Sequence, residues 1–129
     1  MRPLPLALLI ALAASATAAD RPSRVPDAAP AGPPVSCVGL PQIRETRVRD
    51  DRTIDFVMRD GRVYRNVLPA NCPELGFEQR YSYETSLSEL CSTDIIHVLH
   101  ATGPFQGASC GLGQFQPVTL AAQGRGAKR

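Results

Sequence analysis

Tryptophan is missing from this chain of 129 residues, which has only four phenylalanines and three tyrosines. With so few large rings, a core has to be built mainly from Val, Ile and Leu, each contributing roughly 1.5–3 kcal/mol when fully buried. Long apolar runs are missing too. The run from Leu4 to Ala14 is shorter than the about 20 residues that a membrane-spanning helix requires. Lysine occurs once, at Lys128, and the stretch from Cys37 to Leu120 balances arginines against a similar number of acids. Such a near-neutral core lacks the basic excess of a nucleic-acid binder. Arginine in place of lysine suits carboxylate or phosphate recognition, although a compositional bias accounts for it as simply. The four cysteines contain no C-x-x-C pair, which excludes a thioredoxin-like redox motif and a zinc ribbon. No segment repeats.

What the N-terminus does contain is the pattern of an export signal. Arg2 supplies the charged start, Leu4 to Ala14 the apolar core and Ala16-Thr17-Ala18 a small-x-small cleavage site, so residues 1–18 read as a signal peptide. No cysteine follows the cleavage point, which leaves no lipoprotein anchor. Residues 19–36 hold a run of prolines with almost no large apolar side chain and read as a disordered, extended linker. Residues 37–120 form the folded domain, and the small polar tail 121–129 reads as disordered.

The domain is organised around Thr53 to Leu68, where two β-rich runs flank Asp60-Gly61. Asp-Gly between alternating apolar residues signals a hairpin with a two-residue turn. Centred there, the turn sets Met58 opposite Val63, Phe56 opposite Arg65 and Ile54 opposite Val67, with Val57–Tyr64 and Asp55–Asn66 on the other side. Ile43 to Arg49 reads as a preceding strand, with a bulge between the out-of-phase Ile43 and Val48. Pro69 ends the third strand. A helical turn is expected over 71–75, capped by Asn71 and stopped by Gly76, with Phe77 as an apolar plug. Strands follow at Arg80 to Thr85 and Thr93 to Leu99, and Gln114 to Leu120 reads as a closing edge strand because it contains Pro117. The expectation is a mainly β domain: a five- or six-stranded antiparallel meander or partly closed barrel with one helical turn and two disulfides.

Candidate chemistry is sparse, and each case has a plainer structural account. His97 and His100 are the two histidines; three apart on a strand, they point to opposite faces and do not chelate one ion. Cys91 or Cys110 with His97 makes a nucleophile pair on paper, but four cysteines in an exported chain read as two disulfides. Asp50, Asp51 and Asp55 around Arg52 can be read as an acid–base or cation-binding cluster, but the simpler use of Asp50-Asp51 is bonding local backbone amides at a turn, with Asp55 extending into solvent; Asp94 at a strand start reads as a structural backbone acceptor. Gly111-Leu112-Gly113 lacks the third glycine of a dinucleotide loop and reads as a bend beside a disulfide. Tyr64, Tyr81 and Tyr83 form a ligand platform only if they converge on one face; core packing is the favoured account. No catalytic, metal or cofactor residue is assigned.

The segments DDRTIDFVMRDGRVYRNVLPANCPEL, LCSTDIIHVL and CGLGQF carry a resemblance. With the four cysteines, the Tyr64–Leu68 strand before Cys72 and the Leu90-Cys91-x-x-Asp94 pattern, the stretch from Cys37 to Val118 resembles a family of small exported proteobacterial proteins classed as a domain of unknown function. The resemblance implies export, a shared fold and shared cysteines. It supplies no catalytic residue, and His97 and His100 lie outside the shared pattern.

The functional reading is a periplasmic or secreted, non-catalytic binding or accessory module. Its partner would be an unidentified protein or small ligand, with no nucleic acid, no membrane anchor and no cofactor. The competing reading is a small periplasmic hydrolase or thiol-dependent enzyme. Four cysteines allow three pairings. The expected one is nested: Cys72–Cys91 clamping the helical turn, and Cys37–Cys110 joining first and last strands as the sheet curls closed. N-terminal sequencing of the protein from its native host is expected to begin at Ala19; an intact Met1 on the soluble protein would contradict export.

Overall fold

The alternating segments become antiparallel strands in the computed structural model, which describes Pro3 and residues 25–102 and 106–121. In chain order they are β1 (Ala28–Pro30), β2 (Cys37–Gly39), β3 (Ile43–Val48), β4 (Thr53–Met58), β5 (Val63–Val67), a single helical turn α1 (Leu75–Glu78), β6 (Tyr81–Tyr83), β7 (Glu89–Cys91), β8 (Ile95–Leu99), β9 (Gln106–Gly111) and β10 (Phe115–Leu120). They form a five-stranded sheet in the order β1-β10-β5-β4-β3, a two-stranded sheet β2-β7 and a three-stranded sheet β6-β8-β9. The mainly β, antiparallel expectation holds. The sheets do not close into a barrel, and the described strands outnumber the five or six expected.

One face of the five-stranded sheet packs on the two smaller sheets. Ile54, Phe56 and Met58 of β4 and Phe115 of β10 meet Val38 of β2, Leu90 of β7, and Ile96 and Val98 of β8. Phe56 and Phe115 touch edge to face with centroids 5.2 Å apart, an arrangement favoured by the ring quadrupoles. Leu68, Leu75 and Leu112 close the core from the connecting segments. The aliphatic core matches the shortage of rings in the sequence.

The hairpin forms, but its register differs by one residue. The turn holds three residues, Arg59, Asp60 and Gly61: the Met58 amide donates to Arg62 O and the Gly61 amide to Met58 O. Gly61 takes φ +88°, the left-handed position that a three-residue turn with a bulge requires. The pairs are therefore Thr53–Val67, Ile54–Asn66, Asp55–Arg65, Phe56–Tyr64 and Val57–Val63. The slip moves every β5 side chain to the opposite face from the one a two-residue turn gives. The expected bulge in β3 is present, between Ile43 and Glu45.

Further expectations are corrected. β10 is not an edge: it lies between β5 and β1, and β1 comes from the expected linker 19–36, which therefore contributes to the sheet. A short edge strand needs backbone pairing rather than apolar side chains, so a proline-rich segment can supply it. Pro117 is tolerated because N–H and C=O of one residue point to the same side of an antiparallel ladder. Its carbonyl accepts from Ala31, so its missing N–H falls beyond the end of β1. The helical turn lies at 75–78 rather than 71–75, and Gly76 sits inside it instead of stopping it. A Cβ on Gly76 would lie 3.0 Å from the Asp50 backbone, so glycine is there for close approach. Phe77, the expected plug, is 84% exposed. Apart from Pro3, the signal peptide lies outside the described residues, as does the tail beyond Ala121.

The nested disulfides are also corrected. The bonds are Cys37–Cys91 and Cys72–Cys110. First and last strands do meet, but they are β1 and β10, which lie outside all four cysteines. Cys37 instead stands directly across from Cys91 in the β2–β7 pair, and Cys110 on β9 reaches the Cys72 loop. The loops interlace. Digestion with trypsin and an Asp-specific protease without reductant is expected to join 27–44 to 81–93 and 66–80 to 94–125. Replacing either pair by serines should cost about 2–4 kcal/mol in chemical denaturation; a 66–80 to 81–93 adduct would overturn the pairing.

Candidate functional site

The register of the hairpin builds the first polar cluster. Asp55 does not extend into solvent as expected: it is fully buried in the middle of β4 and faces Arg65 on β5, where the ion pair keeps its charge. Arg65 Nε donates to Oδ1 at 2.8 Å and Nη2 to Oδ2 at 3.0 Å. Arg49, just beyond β3, donates from Nε to Oδ2 at 2.8 Å. Burying a carboxylate costs several kcal/mol, and paired, charge-assisted bonds of this kind offset it. Both oxygens are occupied, so Asp55 anchors the outer face of the sheet and offers no free base.

The other acids of the expected cluster separate from it. Asp50 Oδ1 accepts the Arg52 amide at 2.9 Å, and Asp51 Oδ1 accepts the Gly76 amide at 2.8 Å. The Asp50 bond is the local one anticipated at this turn, whereas Asp51 reaches a backbone amide 25 residues away. Asp94 likewise takes the Cys91 amide at 2.7 Å. Asn66, missed in the sequence, is fully buried and exchanges two bonds with the Gly113 backbone, at 2.7 and 2.8 Å. A Cβ on Gly113 would collide with the Val67 carbonyl, which explains the glycine at this bend.

The tyrosines do not make one platform. Tyr64 stands on β5 in the large sheet, while Tyr81 and Tyr83 share β6, their rings 6.3 Å apart. Burial pushes the Tyr81 phenol up to about 12, offset in part by the adjacent Thr46 hydroxyl. Among the described residues one set of three His, Cys, Asp or Glu side chains brings its ligand atoms within 4.8 Å, namely Cys37, Glu89 and Cys91. Its two sulfurs are bonded to each other, which removes the thiolates that a metal needs.

The two histidines have different partners. His97 lies on the outer face of β8, and its Nδ1 is 2.8 Å from the Ser109 hydroxyl on β9. None of three grooves reaches this pair. One, of about 750 Å³, runs between Ala31–Val35, the β4–β5 turn and β10. The second, of about 240 Å³, lies beside Cys37 and Met58, and the third, of about 580 Å³, is bounded by Asp50, Arg52, Asn71 and Phe77. His100, just past β8, inserts between Glu74 and Glu78 at the two ends of α1. Its Nε2 is 3.3 Å from Glu74 and its Nδ1 is 3.2 Å from Glu78. The Ala101 amide bonded to Glu78, with His100 next, holds the Glu78 carboxyl below the usual carboxylate range.

The third groove and the His100 cluster meet at α1, which presents Phe77 to solvent. Leu75 anchors the turn in the core, Asp51 holds the Gly76 amide, and Cys72 is bonded to Cys110 just ahead of it. Glu74 and Gln79 flank it in left-handed conformations, with φ 68° and 57°. An exposed ring on an anchored turn is suited to docking, because little freedom remains to be lost on association. Sequence reading missed Glu74 and Glu78; their spacing of four residues was the available signal, once the helical turn is placed at 75–78.

No protein-family model, curated protein or solved structure matches this chain. Two disulfides fit an oxidising compartment, and among the described residues no helix is long and apolar enough to cross a membrane. For the Asp55 cluster, Asp55→Ala leaves two guanidiniums facing each other in a buried site. It should cost about 3–5 kcal/mol in urea denaturation. Glu45→Gln, which breaks an exposed pair with Arg47, should stay within about 1 kcal/mol of the parent. Equal costs would show that burial of Asp55 does not matter.

Proposed function

We propose that this protein is an exported, non-catalytic binding module, akin to the small exported proteins its cysteine pattern resembles, and that it docks a protein partner through Phe77. Exposure of this ring on a disulfide-anchored turn is the observation that carries the reading. Aromatic anchors dominate binding energy when a partner encloses them, and a large ring held in water has no packing use within its own fold. Anchoring of α1 by Leu75, Asp51 and the Cys72–Cys110 bond favours a partner with a preformed apolar pocket of phenyl size. The export part rests on the signal-like segment 1–18 and on the two disulfides, and places the protein in the periplasm or the medium.

The hydrolase reading has one observation in its favour, the Ser109–His97 hydrogen bond. That pair sits on the outer face of a three-stranded sheet, away from the three grooves, and His97 is a cross-strand neighbour of Ser109. Cross-strand polar pairs of this kind are common sheet contacts, so the pair is read as structural.

A photo-crosslinking residue at position 77 should give a discrete protein adduct in the native host. The adduct should be competed away by added parent domain but not by Phe77→Asp. The same probe at Leu87, another exposed apolar position, should give none. Equal adducts at both positions, or no competition, would overturn docking through Phe77.

A further inference from the structure

We infer that His100 is a proton-operated latch on the turn that presents Phe77, an inference that takes its functional meaning from the docking reading above. The ring lies between two carboxylates, with Glu74 on Nε2 and Glu78 on Nδ1. Carboxylates only accept, so a doubly protonated imidazole donates from Nδ1 to Glu78, while its positive charge attracts Glu74 across 3.3 Å as an ion pair. With one proton the ring is neutral, and the attraction that holds Glu74 to it is lost while Nδ1 can keep its bond to Glu78. Imidazole is the side chain that ordinarily makes this change between about pH 5 and 8. The latch therefore closes as pH falls and opens as pH rises.

The surroundings decide which contact opens. Glu78 is largely covered and its second oxygen accepts the Ala101 amide at 3.0 Å. Glu74 is 57% exposed, and no hydrogen bond holds its side chain among the described residues. Glu74 is thus the side that lets go. Its backbone sits at φ 68°, a conformation that a non-glycine residue keeps only while surrounding contacts enforce it. Losing the contact to His100 removes one of them, and the start of α1 can relax.

The charged groups placed around the ring, among the described residues, are Glu74, Glu78 and, acting through Glu78, Arg80. On β9 the neighbour is Gly107, where a Cβ would come within 2.7 Å of Nε2. The missing side chain at Gly107 makes room for the ring. The two carboxylates engage opposite ring nitrogens, so the three groups do not converge on one point as metal ligands must. The site responds to a proton.

Amide exchange of Glu78 and Gln79 tests the latch, because these amides donate to Glu74 O and Leu75 O and form the turn. Rates are measured on the oxidised domain from pH 5 to 8 and normalised for intrinsic exchange. Protection in the parent should fall about threefold to tenfold with rising pH, the upper end of what one partly exposed ion pair contributes. His100→Ala should be weakly protected and flat. Glu74→Gln, which removes the charge that the protonated ring attracts, should be weakly protected and flat. His97→Ala should keep the parent profile. A flat parent, or a slope that survives in His100→Ala or Glu74→Gln, would overturn the latch. The measurement needs no partner, so its failure is distinct from failure of docking, which crosslinking at position 77 reads by itself.

Discussion

The three-residue turn between β4 and β5 sets a parity on which the rest of the structure depends. Side chains alternate across a strand, so a turn longer by one residue exchanges the two faces of everything that follows it. With Gly61 in the left-handed region, Tyr64, Asn66 and Leu68 share the face of Ile54, Phe56 and Met58. Arg65 is thereby sent to the face of Asp55. A buried carboxylate without a cation opposite it would be costly. The register and the Arg49–Asp55–Arg65 cluster therefore support each other, and the slipped register loses both the apolar face and the ion pair.

Covalent constraint works on the other side of the core. A domain of this size with an aliphatic core has little stability from burial alone, and its two smaller sheets have only two and three strands. Cys37–Cys91 ties β2 to β7, and Cys72–Cys110 ties the segment ahead of α1 to β9. The two interlaced loops together span Cys37 to Cys110, and the chain-entropy view gives about 4 kcal/mol to each bond. The rigid base for α1 follows from the second bond together with Leu75 and the Asp51 bond to Gly76.

On that base the elements of the proposed docking site are few and local. One exposed ring, one histidine and two glutamates occupy a single turn and the end of one strand. Much of the remaining polar chemistry is consumed in holding backbone: Asp50, Asp51, Asp94 and Asn66 all bond main-chain groups. With these side chains committed to loops, the proposed docking rests on what the turn displays and on how firmly the turn is held.

Local pattern in the sequence was enough for the antiparallel β class, the central hairpin, the bulge in β3 and the backbone roles of Asp50 and Asp94. Each depends on neighbours in the chain: alternation, an Asp-Gly turn, a short acceptor beside an amide. The residues of the candidate site were legible only one at a time. His100 was visible without its partners, and Glu74 and Glu78 were hidden by a helical turn placed four residues early. Disulfide partners, the strand role of Ala28–Pro30 and the interior position of β10 were decided by tertiary structure. Those features join residues far apart in sequence, and backbone pairing carries no side-chain signature that a proline-rich segment would have to show. The turn length was decided there as well, because Asp-Gly fits a two- or a three-residue loop. Packing of both sheet faces, with Asp55 set against Arg65, selects between them.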